Sequence, residues 1–168
     1  KKFEAKRPEM AVGENPDIDF VLTSQELILM VKESGIAFDR LEPESFDMPF
    51  GFKTGAGVIF GASGGVSEAV LRYAAGKLGA PGEFKQLRSG NGVRTGEIAV
   101  GGITLKLAVV SGLSNARALM DRIRNGEAQY DLIEVMACCG GCVNGGGQPV
   151  HTHADAIEKR TKGLFDND

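Results

Sequence analysis

Cys138, Cys139 and Cys142 are the only cysteines of the 168-residue chain, and they fall within five residues of one another. Soft thiolates this close together select iron–sulfur, zinc or copper over hard cations. Cys138 and Cys142 are separated by Cys139, Gly140 and Gly141, and Gly145-Gly146-Gly147 follows. Glycines between ligands let backbone curl around a bulky inorganic core and turn amide N–H groups toward its sulfurs. A zinc site would need a second pair of ligands. Only His151 and His153 are available, and they read as solvent-facing loop residues, so zinc is the runner-up metal. Cysteines so clustered cannot build a spread disulfide framework. Two buried, inert thiols are the plainer alternative, but eight residues of nearly bare backbone around them favour ligation.

The elements that must position these residues follow from periodicity. Tyr130 to Met136 is apolar enough for a buried strand, which delivers the cysteines at its C-terminal end, the edge where α/β sheets bind ligands. Val58-Ile59-Phe60 reads as a strand leading into Gly61-Ala62-Ser63-Gly64-Gly65, with Val66, Ala69, Val70 and Tyr73 on one helical face beyond. That glycine turn lacks both the P-loop lysine and dinucleotide-binding spacing. It is expected to pack beside the cysteine loop at a helix start, with its amides directed toward the pocket. Asp19 to Leu22 reads as a strand, Thr23 as an N-cap, and the following helix closes at Gly35. Residues 37 to 56 read as a long covering loop.

Further along, Phe84 to Arg88 and Glu97 to Val100 look like strands. Gly101-Gly102 then makes a hairpin turn before Thr104 to Val110. Ser114 to Ile123 is a helix closed by Asn125-Gly126, and Ala154 to Phe165 is a last helix candidate. The expected fold is α/β, a mixed sheet flanked by helices. It forms a single lobe over residues 1–168, with 150–168 as a tail helix region.

Composition bounds the function. With 42% hydrophobic and 24% charged residues the chain can bury a core. A net charge of −3 and pI near 5.5 make nucleic acid and anionic membrane poor partners. No run approaches the roughly 20 apolar residues of a membrane helix, and the start lacks a secretory signal, so a cytoplasmic setting is expected, with a periplasmic one open. The chain opens at Lys1 without a methionine, which suggests a piece of a longer polypeptide.

Glu134-Val-Met-Ala-Cys-Cys-Gly-Gly-Cys-Val-Asn-Gly-Gly-Gly-Gln-Pro149 resembles the third signature motif of the iron-only, or FeFe, hydrogenases. The resemblance continues through Asp19 to Leu27 and Gly55 to Val70. Lys1-Lys2-Phe3-Glu4 is similar to the end of the second motif. It implies one lobe of a hydrogenase catalytic domain that interconverts hydrogen with protons and electrons. The cofactor is the H-cluster: a 4Fe-4S cubane linked to a binuclear iron unit bearing carbon monoxide and cyanide. By the same resemblance Cys138 is a cubane ligand, Cys142 bridges the two iron units, and Cys139 sits at a variable position. Lys1 would contact a cyanide, an ammonium donating to an anionic acceptor. Met136 and Phe60 would line the pocket and keep it apolar, and Glu4 is a nearby structural acid.

The first signature motif is absent, and the second is cut just after its cysteine. Two of four cubane ligands are therefore missing. The implied partners are the missing N-terminal part of the same domain and ferredoxin or NAD(P)-linked electron-transfer subunits, and the fragment alone is expected to be inactive. The alternatives are a hydrogenase-like iron–sulfur protein that senses or assembles clusters, and a cluster-free nucleotide module built on Gly61 to Gly65.

Overall fold

A computed structural model of the chain describes residues 2–45, 47, 48, 55–80, 82, 84–88, 92–150, 153 and 155–168. Contacts divide it into two compact units. One comprises Lys1–Glu44 with Gly146–Val150, the other Ser45–Gly145 with His151–Asp168.

The larger unit is built on a mixed three-stranded sheet in the order β3 (Val93–Val100), β4 (Ile103–Ser111), β5 (Leu132–Met136). The β3–β4 pair is antiparallel, with Val100 opposite Ile103. The two-residue turn between them, Gly101-Gly102, has φ of 55° and 83°, both in the left-handed region that a type I′ hairpin requires. β5 runs parallel to β4 in a register that sets Ser111 beside Met136. The parallel step needs a crossover, which α4 (Leu113–Arg124) supplies.

Both sheet faces are covered along the second half of β4, which is why Leu107-Ala-Val-Val110 reads as a continuous apolar run. On one face Leu107 and Val109 pack with Ile98, Val100 and Leu71 and Ala75 of α3 (Gly65–Lys77). On the other, Ala108 and Val110 pack with Leu119 of α4. α2 (Gly55–Val58) precedes α3, and α5 (Ala156–Phe165) closes the unit. Glu68 of α3 is fully buried and accepts from Arg72 at 2.5 Å and from Arg88 at 2.8 and 2.9 Å.

The smaller unit carries a two-residue hairpin, β1 (Ala11–Val12) with β2 (Asn15–Pro16), and α1 (Ser24–Glu33). Thr23 and Glu26 form a reciprocal capping box at the start of α1, and Gly35, at φ 69°, follows its end. The Gln25 N–H donates to the Gly147 carbonyl at 3.0 Å, tying the Gly146–Val150 segment to the first turn of α1.

Three expected strands are absent. Asp19 to Leu22 has no ladder partner among the described residues. Val58-Ile59-Phe60 continues from α2 into a 3-10 turn at Ile59–Gly61, and Phe84 to Arg88 contains a 3-10 turn at Lys85–Leu87. Each is a run of three to five residues with apolar side chains among them, in the last case only Phe84 and Leu87. Such runs satisfy strand and buried-helix patterns equally, and packing decides: Ile59 and Leu87 are buried without any sheet. Of the 37–56 loop, a 3-10 turn at Phe38–Arg40 is described, while residues 46 and 49–54 lie outside the described part.

Candidate functional site

β5 carries the chain to Met136, whose carbonyl accepts from the Gly112 N–H at 2.8 Å. The cysteine loop begins there. Its centre is the Gly140 residue, held on both sides. Its N–H donates to Ser111 Oγ at 2.6 Å, and its carbonyl accepts from the Ser63 N–H at 3.0 Å. The Gly141 N–H folds back onto the Cys138 carbonyl at 3.1 Å, and Asn144 Nδ2 reaches the Cys139 carbonyl at 3.2 Å. Gly141 has φ 101°, and a Cβ there would stand 2.7 Å from the Gly61 carbonyl oxygen, so this position admits only glycine. Cys142 opens a 3-10 turn, Cys142–Asn144, and the Val143 carbonyl within it accepts from Arg160 Nη1 at 3.1 Å.

All three thiols are free, and all three cysteines are exposed. Cys139 Sγ lies only 3.3 Å from where a Cβ on Gly112 would stand, against the start of α4. Among the described residues no acceptor is found for the amides of Cys138, Cys139 and Cys142, whereas those of Gly140 and Gly141 are used within the protein. Among the described residues, too, no three His, Cys, Asp or Glu side chains converge on a metal.

The glycine turn at 61–65 does sit beside the cysteine loop at the start of a helix, as expected, but its amides serve a different anion. Glu134, 7% exposed and in the middle of β5, accepts from the Gly64 N–H at 2.6 Å and from the Ser67 N–H at 2.7 Å. A carboxylate at a helix N-terminus satisfies unbonded donors and meets the positive end of the macrodipole. With Ser63 turned to Gly140, none of these three amides points at an open pocket, which corrects the expectation. Gly64 has φ 94°, and a Cβ on it would fall 1.7 Å from the Leu87 carbonyl oxygen. On that side Arg94 Nη1 donates to the same oxygen at 2.6 Å and Nη2 approaches Ser63 at 3.4 Å. Burial lowers the Arg94 pKa and the charge of Glu134 opposes that shift. β5, the glycine turn and the cysteine loop are thus locked together by buried charge and backbone hydrogen bonds.

This geometry suits soft-metal chemistry: thiols on a rigid, glycine-rich turn, open to solvent, beside cysteine amides that have no acceptor among the described residues. Residues 1–146 match the family model of the iron only hydrogenase large subunit, C-terminal domain. The chain belongs to that family.

Among the relatives of the chain, the NADP-reducing hydrogenase subunit HndD of Solidesulfovibrio fructosivorans is 45% identical over 100% of the chain and 29% of its own length. Cytosolic iron-sulfur assembly component 3 of Pongo abelii is 36% identical over 88% of the chain and 33% of its own length. A solved FeFe-hydrogenase HydA structure, described for stepwise H-cluster assembly, superposes with a TM-score of 0.69 at 33% identity, covering 97% of this chain and 49% of that one. The chain thus spans about three-tenths of these curated relatives and half of the solved chain. The match confirms an α/β architecture with a mixed sheet.

Of the residues expected at the hydrogenase site, Cys138 and Cys142 share the pinned turn, and Met136 ends the strand that feeds it. Phe60 is 47% exposed in the 3-10 turn before the glycines, with no ring contact among the described residues. Lys1 and His151 lie outside the described residues, and His153 is exposed. Glu134, Ser111 and Arg94 had no role assigned from sequence. Glu134 carried a signal, a lone carboxylate between Ile133 and Val135 in an otherwise apolar strand; Ser111 carried none. Among the described residues, no helix is long and apolar enough to cross a membrane.

Proposed function

We propose that this chain is one lobe of the single catalytic domain of an iron-only hydrogenase, and that Cys138 and Cys142 are its contribution to the H-cluster. The observation that carries the reading is the pinned loop: two exposed thiols flank a Gly140 peptide bonded at both ends, and the amides of the cysteines themselves have no acceptor among the described residues. When bound, the H-cluster supplies the iron centre at which protons, electrons and hydrogen interconvert.

The chain's own residues hold and shape that centre. Cys138 would hold the cubane part of the cluster, and Cys142 would hold it where the binuclear unit joins. Cys139, turned to Gly112, is no ligand. Lys1 would supply an ammonium donor to an anionic ligand of the binuclear unit. Met136 and Phe60 limit water near it, which for Phe60 requires that the side chain be covered in the whole protein. The remaining cubane ligands come from the missing N-terminal part of the same domain, and electrons come from a ferredoxin or NAD(P)-linked subunit in the cytoplasm.

A second reading, cluster assembly without hydrogen turnover, is supported by the 36% identical assembly component. Anaerobically matured full-length protein, assayed for hydrogen evolution from a reduced viologen, separates the two. The hydrogenase reading expects turnover. Stoichiometric iron and sulfide with no hydrogen would support assembly instead. The isolated chain, with half the thiolate ligands elsewhere, is expected to be colourless and inactive.

A further inference from the structure

Ser111 is the last residue of β4, 1% exposed, and outside the signature motif. Its hydroxyl accepts the Gly140 N–H at 2.6 Å and stands 3.4 Å from the Cys138 carbonyl, where it can donate. The same residue's carbonyl accepts from Asn115 Nδ2 at 2.7 Å, and its N–H donates to the Gly92 carbonyl at 2.8 Å. Ser111 is therefore anchored by its own backbone on a buried strand while its side chain reaches across to the neighbouring loop.

The loop it holds has five amides between Cys138 and Cys142, and they fall into two sets. Gly140 and Gly141 donate within the protein, while Cys138, Cys139 and Cys142 do not among the described residues. The peptide before Gly140 is the part of this set that a side chain controls. That peptide turns about ψ of Cys139 and φ of Gly140, and on the Gly140 side, at φ 82°, no Cβ restrains it. The Ser111 hydroxyl holds its N–H inward, while Asn144 Nδ2 holds the Cys139 carbonyl of the same peptide at 3.2 Å.

We propose that Ser111 is a positioning residue: by retaining the Gly140 amide it fixes the turn between Cys138 and Cys142 and limits how many backbone donors the cysteine loop offers to the cluster, and so sets the cluster's reduction potential. This rests on the hydrogenase reading of the loop. Donors to cluster sulfur, and water near it, stabilise the more negative reduced form. Releasing one amide and loosening the turn both raise the potential.

The test uses matured full-length protein carrying Ser111→Ala or Ser111→Thr. Iron and sulfide contents, hydrogen exchange at Gly140 and an EPR-monitored redox titration are measured for each. In S111A the Gly140 amide loses protection while those of Leu107 and Val109 in β4 keep theirs. The cubane potential rises by the equivalent of about a tenfold change in the reduction equilibrium, 59 mV for one electron. S111T, which keeps the hydroxyl, restores both. A potential that is unchanged or lower in S111A, or one that S111T fails to restore, overturns the proposal. So does undiminished protection at Gly140. Should S111A not retain its cluster, the exchange measurement on both variants decides alone. If the unsubstituted protein holds no cubane, it is the hydrogenase reading that has failed.

Discussion

The most consequential single side chain outside the cysteines is Glu134. Its carboxylate is the shared partner of two amides at the start of α3, and it sits four residues before Cys138 on the same backbone. Removing it leaves two buried N–H groups without acceptors, each costing about 1–3 kcal/mol. Glu134→Ala is expected to destabilise the protein by about 2–4 kcal/mol in denaturant unfolding. Glu134→Gln keeps one acceptor but turns an NH2 toward the other N–H, and is expected to recover no more than about half of that loss. Equal stability of the three proteins would show that the contact is incidental. The residue was legible as an oddity, a carboxylate inside an apolar strand, but its partner was not. The glycine turn and β5 lie about 70 residues apart in sequence, and nothing local records that they meet.

At the scale of elements, legibility followed how local the determining chemistry was. The N-cap at the start of α1, the Gly101-Gly102 turn and the stop at Asn125-Gly126 are specified within four residues, and all were readable; the reciprocal bond from Glu26 was seen only in the structure. Val58-Ile59-Phe60 and Phe84 to Arg88 were not, because their conformation depends on what buries Ile59 and Leu87. The capping box also carries a pH dependence. The Lys2 ammonium first, then the backbone and hydroxyl of Thr23, hold Glu26 down at about 2 from an ordinary 4.5. A depressed carboxylate stabilises the fold fully above its unfolded value and loses that contribution as pH falls through the folded one. The start of α1 is therefore expected to loosen between about pH 4.5 and 2. An NMR titration of Glu26 checks this, and a midpoint near 4.5 would contradict it. Thr23→Ala removes the cap itself, at about 1 kcal/mol, and brings the Glu26 midpoint upward.

Across the larger unit, a buried ion network ties α3 to distant chain. Arg88 pairs bidentately with fully buried Glu68, also meets Asp168, and stacks over the Phe165 ring at 4.7 Å. Arg72 joins both acids, at 2.5 and 2.6 Å. The two guanidinium groups hold Asp168 at about 2, and the acids raise both arginine pKa values. Arg88→Ala takes two of the three donors from buried Glu68 and leaves Arg72 on both acids, so it is expected to cost about 1–3 kcal/mol by denaturant unfolding. A loss below about 1 kcal/mol would place the network among ordinary surface pairs.

On the same scale, the family was legible in a sixteen-residue motif, whereas the locking of the cysteine loop by Ser63, Ser111 and Glu134 was not. The central claim is the division of labour among the three cysteines. It is tested most directly by iron content and hydrogen evolution of full-length protein carrying Cys138→Ser, Cys142→Ser or Cys139→Ala. Cys142→Ser should abolish turnover, because a harder oxygen is a poor bridge between iron units, and Cys138→Ser should leave at most a trace with less cubane iron. Cys139→Ala, whose thiol packs on Gly112, should remain close to the unsubstituted protein. An inactive Cys139→Ala beside an active Cys142→Ser would contradict the ligand assignment, and with it the hydrogenase reading of the loop.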